Sequence, residues 1–152
     1  MTEDFIFLTC LQCGAQNRVP KNRLQEHPRC GRCHTPLPIE TYINHPHDIG
    51  DSDFSKEVLS SALPVLVEFT SPHCPYCRLI TPTIDKLAAA YGSQIKFVRM
   101  NVEVNPRMAS LFTVQGTPTL LLFKNGKAVD RMVGALSREE IEKHLTQVIE
   151  KS

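Results

Sequence analysis

The sequence predicts an α/β domain, with a central mixed β-sheet flanked by helices, preceded by a small module stapled by cysteines. Three observations carry this prediction. Six cysteines fall into three Cys-x-x-Cys pairs, Cys10/Cys13, Cys30/Cys33 and Cys74/Cys77. From about residue 51 onward, apolar strand runs alternate with helical patterns, as in a sheet layered between helices. Residues 1–37 are instead rich in Arg, Pro, Gln and Asn, with too few large apolar side chains to bury a core unaided. The expected division is therefore 1–40 for the stapled module and 41–152 for the α/β domain.

The stretch Pro38 to Gly50, with Asn44-His45-Pro46-His47-Asp48 at its centre, reads as a connection or a short edge strand followed by a loop. Asp51-Ser52-Asp53 is suited to cap a short helix through Phe54, Val58 and Leu59. Val65-Leu66-Val67-Glu68-Phe69 is a buried-strand run interrupted by one carboxylate, and the third cysteine pair follows it directly. A helix is predicted from Pro75 to Tyr91, apolar at Ile80, Ile84, Leu87 and Ala88, stopping at Gly92 and kinked at Pro82. Ile95 to Met100 is the next strand, and Pro106 opens a short helix through Met108 and Leu111. Strands at Thr119–Phe123 and Ala128–Val133 flank Asn125-Gly126, a strong hairpin-turn pair. The last helix starts at Ser137, whose capping-box partner is Glu140, and its apolar face runs through Ile141, Leu145, Val148 and Ile149.

Charge and hydropathy exclude several functions. Lys+Arg number 17 against 16 Asp+Glu, with 5 basic and 4 acidic residues before position 41, so nothing marks a nucleic-acid binder held by bulk charge. The start, Met1-Thr2-Glu3-Asp4-Phe5, is acidic where a secretory signal is positive, and no apolar stretch nears the ~20 residues that span a bilayer. The expectation is a cytoplasmic protein with no membrane partner. That compartment keeps thiols reduced, so six cysteines call for chemistry other than structural disulfides.

Two kinds of chemistry answer. Cys10-x2-Cys13-x16-Cys30-x2-Cys33 has tetrathiolate zinc spacing, and Gly31 is expected to supply the tight thiolate-binding turn. Four thiolates make a closed structural Zn2+ site, which would also provide the folding energy this segment lacks. Disulfides or an iron–sulfur cluster are the rivals. His27 and His34 are expected at the surface rather than as ligands, and Arg18, Lys21 and Arg23 on a solvated face. The third pair stands at a strand-to-helix junction, where the unpaired amides and dipole of the helix N-terminus favour a thiolate at Cys74 while Cys77 sits one turn inside. Pro75 suits the first helical position, where a missing N–H is harmless. This arrangement predicts thiol–disulfide exchange, with Cys74 as nucleophile and Cys77 as resolving thiol. His73 would either stabilise the Cys74 thiolate when protonated or be a solvated loop residue.

At this point a resemblance is visible. Val65-Leu66-Val67-Glu68-Phe69 leading into Cys-x-x-Cys, Gly116-Thr117-Pro118-Thr119, Leu122-Phe123-Lys124-Asn125-Gly126 and Val133-Gly134-Ala135-Leu136 make residues 51–149 resemble thioredoxin. With the four front cysteines the whole chain resembles the zinc-binding thioredoxin 2 subclass, a zinc ribbon followed by a thioredoxin fold. The resemblance implies a protein-disulfide reductase, a monomer, recycled by thioredoxin reductase. It also implies that Glu68 relays the proton of Cys77, although Glu68 on an edge facing solvent, or neutralised by Arg99, are the competing readings. Thr117-Pro118 matches the family's cis-proline loop, where the backbone of Thr117 would pair with an extended substrate and Gly134 would allow its close approach. His73, Pro75 and Tyr76 would frame Cys74 on the substrate side.

There are departures. The active-site run is His73-Cys74-Pro75-Tyr76-Cys77 in place of Trp-Cys-Gly-Pro-Cys, and the chain contains no Trp. The Pro-Tyr insert is similar to that of glutaredoxins, so we expect a couple less reducing than thioredoxin's, near the about −200 to −230 mV of glutaredoxins. It also makes glutathione a rival electron donor, although Gly134-Ala135-Leu136-Ser137 lacks the Gly-Gly and Asp that glutathione-binding members carry. A non-catalytic reading, with the ribbon as a partner-binding or zinc-releasing module, is the alternative from another class.

Overall fold

The computed structural model describes residues 5–39, 45–92 and 94–150. The chain divides into two compact units, Met1–Ile43 and Asn44–Ser152; the boundary expected at residue 40 lies outside the described residues. Among the described residues no helix is long and apolar enough to cross a membrane.

The first unit is built on an antiparallel hairpin, β1 (Phe5–Thr9) and β2 (Gln16–Pro20), with Ile6 opposite Val19 and Leu8 opposite Asn17. Alternation sends Leu8 inward and leaves Phe7 exposed. A 3-10 turn follows at Lys21–Glu26. Its core holds Leu8, Val19, Leu24, Leu37 and Ile39 around Cys10 and Cys30. Five aliphatic side chains are a thin core for such a stretch, consistent with a need for cross-linking.

The second unit is a five-stranded sheet in the order β3-β5-β4-β6-β7. The strands are β3 (His47–Asp48), β4 (Val65–Thr70), β5 (Lys96–Asn101), β6 (Thr119–Lys124) and β7 (Lys127–Val133). β4 is parallel to β5 and antiparallel to β6, so it is an interior strand, and β7 returns antiparallel along β6. Helices α1 (Pro75–Tyr91) and α3 (Arg138–Glu150) cover one face through Ile80, Ile84, Leu87, Ile141 and Leu145, packed on Leu66, Leu120 and Leu122. The opposite face, Val65, Val67 and Phe69, packs beneath Phe54, Val58 and Ala109 of the short helix α2 (Pro106–Leu111). The central mixed sheet flanked by helices is thus as the sequence predicted. The period-2 alternation of β4 also fixes its one acidic side chain, for Glu68 shares the face of Leu66 and looks toward α1.

Local signals account for the joints. Asn125 and Gly126 have φ of 54° and 79°, the pair of positive values that a type I′ hairpin turn requires. The capping box forms, with the Glu140 amide donating to Ser137 Oγ at 3.2 Å and the Ser137 amide 3.5 Å from Glu140 Oε1. The expected helix through Phe54 and Leu59 is instead a 3-10 turn at Asp51–Asp53 followed by a single π turn at Ser55–Leu59. Asp51 caps a different helix, its carboxylate accepting from the amides of Arg107 and Met108 at 3.0 Å each in the first turn of α2. Asp51→Ala is therefore expected to cost about 1 kcal/mol of stability of the second unit, as loss of an N-cap does, read as a lowered urea midpoint.

Candidate active site and metal centre

β4 ends at Thr70, and the loop from Ser71 to His73 delivers the chain to Cys74, the N-cap of α1 (φ −104°, ψ 110°). Pro75 takes the first helical position. The Cys77 amide, one of the donors that a helix N-terminus leaves unpaired, points at Cys74 Sγ at 3.1 Å. Cys74 Sγ also lies 3.2 Å from the carbonyl oxygen of Thr117. The Thr117–Pro118 bond is cis, and the Gly134 amide donates to the Pro118 carbonyl at 3.0 Å, with Gly134 itself at φ 93°. Thr119 Oγ1 closes the loop onto the Gly116 carbonyl at 2.7 Å. Residues remote in sequence thus converge on one sulfur.

The two thiols are free and electrostatically unequal. Burial pushes the Cys74 thiol up, but hydrogen bonds from Cys77 and Thr117 and from the amides of Cys77 and Tyr76 outweigh it and hold Cys74 below the ordinary thiol range. For Cys77, 2% exposed, burial and the neighbouring Cys74 sulfur push the thiol up. Of the two, Cys74 is the sulfur on which a thiolate is the more favoured.

Behind them lies Glu68, 0% exposed on an interior strand, so the solvent-facing edge reading is overturned. Arg99, opposite it on β5, donates from Nε to Glu68 Oε1 at 2.7 Å and from Nη2 to Asp85 at 3.1 Å. Burial nevertheless raises the Glu68 carboxyl above its usual range, with Asp85 adding to the effect and Arg99 only partly offsetting it. Thr81, which the sequence reading did not single out, sits one turn beyond Cys77. Its hydroxyl donates to the Cys77 carbonyl at 2.8 Å and lies 3.5 Å from Glu68 Oε2. A threonine four residues after the inner cysteine was the available signal, since Ser and Thr in helices bond back to the i−4 carbonyl.

The remaining residues expected on the substrate side, His73, Pro75 and Tyr76, are all exposed. Tyr76 is 63% exposed. The His73 side chain is 82% exposed, with its Nε2 3.9 Å from Glu103 Oε1.

In the first unit, Cys10, Cys13, Cys30 and Cys33 converge, their four sulfurs all within 4.8 Å of one another. The Cys10–Cys33 and Cys13–Cys30 separations are 3.5 and 3.6 Å. A tetrahedron with Zn–S bonds of about 2.3 Å has edges of about 3.8 Å, so the donor set fits Zn2+ with little adjustment. The two halves are built alike. Cys10 accepts from Gly14 and donates to Ala15, while Cys30 accepts from His34 and donates to Thr35, all backbone bonds of 2.8 to 2.9 Å. The left-handed residues are Gly14 at φ 77° and His34 at φ 65°. Gly31, expected to be the turn glycine, does not adopt positive φ; its amide instead donates to Asn17 Oδ1 at 2.9 Å, a clamp that sequence reading missed. The amides of Cys33 and Arg32 lower the Cys30 thiol to about 6, which favours the ligating thiolate. His27 and His34 are exposed, as are Arg18 and Arg23; the Lys21 side chain lies outside the described set.

Comparison with known proteins places both units. A family model described as Thioredoxin matches residues 45–147, and one described as Thioredoxin 2, N-terminal, matches residues 9–35. Thioredoxin C-3 of Corynebacterium nephridii is 34% identical over 146 residues, covering 95% of this chain and 97% of its own, so that likeness extends across both units. Thioredoxin 1 of Nostoc sp. is 43% identical over 101 residues, 64% of this chain and 94% of its own. Thioredoxin of Porphyra purpurea is 39% identical over 101 residues, 66% of this chain and 94% of its own.

Proposed function

This chain belongs to the thioredoxin family and is a thiol–disulfide oxidoreductase, and from that premise we propose that Cys74 attacks protein disulfides, Cys77 resolves them and Glu68 takes the proton. The observation that carries the assignment is the Cys77 amide aimed at Cys74 Sγ from the first turn of α1, beside the Thr117 carbonyl.

The Cys74 thiolate attacks one sulfur of a substrate disulfide, forming a mixed disulfide and releasing the first substrate thiolate. Cys77 then gives up its proton and attacks Cys74 Sγ, releasing the second thiolate and leaving a Cys74–Cys77 disulfide. Two electrons pass to the substrate, and a reductase must return them. Removing the Cys77 proton is the harder step, because burial favours the thiol. Glu68 is suited to accept it, since burial raises its own carboxyl toward the working range. Arg99 cannot take that proton, as a guanidinium stays charged. Thr117, Pro118, Gly134, His73, Pro75 and Tyr76 form the substrate side, where the open backbone of the cis-proline loop pairs with an extended segment.

Glu68→Gln is expected to slow turnover about 10- to 100-fold while leaving the alkylation rate of Cys74 within about twofold, because only the resolving step loses its base. Stopped-flow measurement of both rates checks this; unchanged turnover removes the role.

The four front cysteines hold a structural Zn2+ in this reading, and Zn2+ supplies no step of the exchange. We place the protein in the cytoplasm as a monomer acting on protein disulfides, with thioredoxin reductase as donor. The Pro75-Tyr76 insert favours a couple nearer the glutaredoxin range and keeps glutathione as the second donor to test. Recycling of oxidised protein by NADPH with thioredoxin reductase, against glutathione with its reductase, separates the two. Faster recycling by glutathione would reverse the donor assignment and leave the chemistry at Cys74 untouched.

A further inference from the structure

The first unit carries a groove of about 320 Å3 that no step of the exchange uses. β2 from Asn17 to Pro20 forms one side and the stretch Pro28 to Gly31 the other, over Val19 and Leu37, which are 4% and 6% exposed. Arg18, Arg23 and Arg29 line it against a single carboxylate, Glu26. That carboxylate is already held by Arg23 at 2.8 Å. Arg18 and Arg29 therefore face the groove with no acidic side chain bridged to them among the described residues.

Both guanidinium groups are set in place before any ligand arrives. Arg18 stacks over the Phe5 ring at 4.0 Å. Arg29 donates from Nη1 to the His34 carbonyl at 3.2 Å, which leaves its other N–H groups available. The bond from the Gly31 amide to Asn17 Oδ1 ties the two walls together, and Pro20 and Pro28 stiffen them. Little ordering cost is left for binding to meet. A fixed guanidinium matches a carboxylate with two parallel hydrogen bonds.

The excess charge has a definite sign. Three arginines, Arg18, Arg23 and Arg29, line the groove against Glu26, a local excess of positive charge within a stretch that holds 5 basic and 4 acidic residues before position 41. A nucleic-acid backbone asks for a long basic track, whereas this groove offers two anchors over a short apolar floor. We propose that it is a docking site for an extended acidic polypeptide segment, held through carboxylates on Arg18 and Arg29. The proposal does not depend on the roles given to Cys74, Cys77 and Glu68.

The test uses the zinc-loaded full chain and a fluorescently labelled peptide of alternating Glu and Val, with the Gln–Val peptide and an oligouridylate of equal length as comparators. Anisotropy should give at least about tenfold tighter binding for the Glu peptide than for the Gln peptide, weakening with added salt. Arg18→Glu combined with Arg29→Glu should remove that preference, with zinc content and insulin reduction unchanged. Should the pair of substitutions disturb zinc binding, amide shift mapping on the wild-type protein decides instead. Perturbations centred on Arg18, Val19, Arg29 and Gly31 support the site. Equal affinity for the Gln peptide, shifts that map elsewhere, or tighter binding of the RNA at the same arginines would overturn it.

Discussion

Cys74→Ser is expected to abolish reduction of insulin disulfides, a fall of at least about a thousandfold, because a serine hydroxyl has no accessible anion to replace the thiolate. The geometry makes the loss specific. Cys74 is the sulfur that receives the Cys77 amide and stands beside Thr117, so no other thiol of the second unit can take its place; the only other one, Cys77, is buried and raised. Cys77→Ser should behave differently. It keeps the nucleophile and removes the resolving thiol, so the substrate should accumulate as a mixed disulfide on Cys74, visible by mass spectrometry of the intact protein. Residual turnover in Cys74→Ser above about 0.1 per cent of wild type would contradict the assignment of nucleophile.

Zinc removal is the second large effect. Stripping the metal from the intact chain with a strong chelator should unfold residues of the first unit while leaving the sheet of the second unit folded. Structural zinc in such sites contributes about 10–16 kcal/mol at neutral pH, and what remains is a core of five aliphatic side chains around the cysteines. The hairpin β1–β2 is a two-stranded ribbon, which is marginal alone in water. Amide hydrogen exchange reads the two units separately: protection at Val19 and Leu37 should vanish, and protection at Leu66 and Leu121 should persist. Retained protection in the first unit after complete chelation would show that the metal is not what holds it.

Much of this was legible in the sequence, for reasons that differ by element. β4, α1 and β6 have strong local patterns, and their bounds follow from a continuous apolar run, a capped helix with period 3.6 and an Asn-Gly turn. The cysteine spacing located both sites, because sulfur chemistry tolerates few arrangements. The ribbon hairpin carries no comparable local signal. Gln16-Asn17-Arg18-Val19-Pro20 has a single apolar position that is buried, Val19, and becomes a strand through pairing with β1 rather than through its own pattern. Long-range polar contacts were equally hidden. Asp51 looked like the cap of the turn that follows it, yet its carboxylate meets amides more than fifty positions away in α2. Glu57 is buried and held by Lys96, another pair that no local pattern encodes. His34 occupies a left-handed position that glycine fills in the matching half, a substitution that sequence alone reads as a surface histidine. For the hairpin, the Asp51 cap and the Glu57–Lys96 pair, the deciding contact joins residues that are distant along the chain, and local periodicity carries no information about it.

The most direct test of the central claim is the pH dependence of alkylation at each of the six cysteines, followed by peptide mass spectrometry on the reduced, zinc-loaded chain. Cys74 should react first, with half-maximal rate below the ordinary thiol range and a rate that falls as pH drops through that lowered value, since the thiolate is the reacting form. Cys77 should lag until the pH passes above the ordinary range. If Cys77 were labelled as readily as Cys74 at neutral pH, the division of the pair into anion and reserve proton would be wrong.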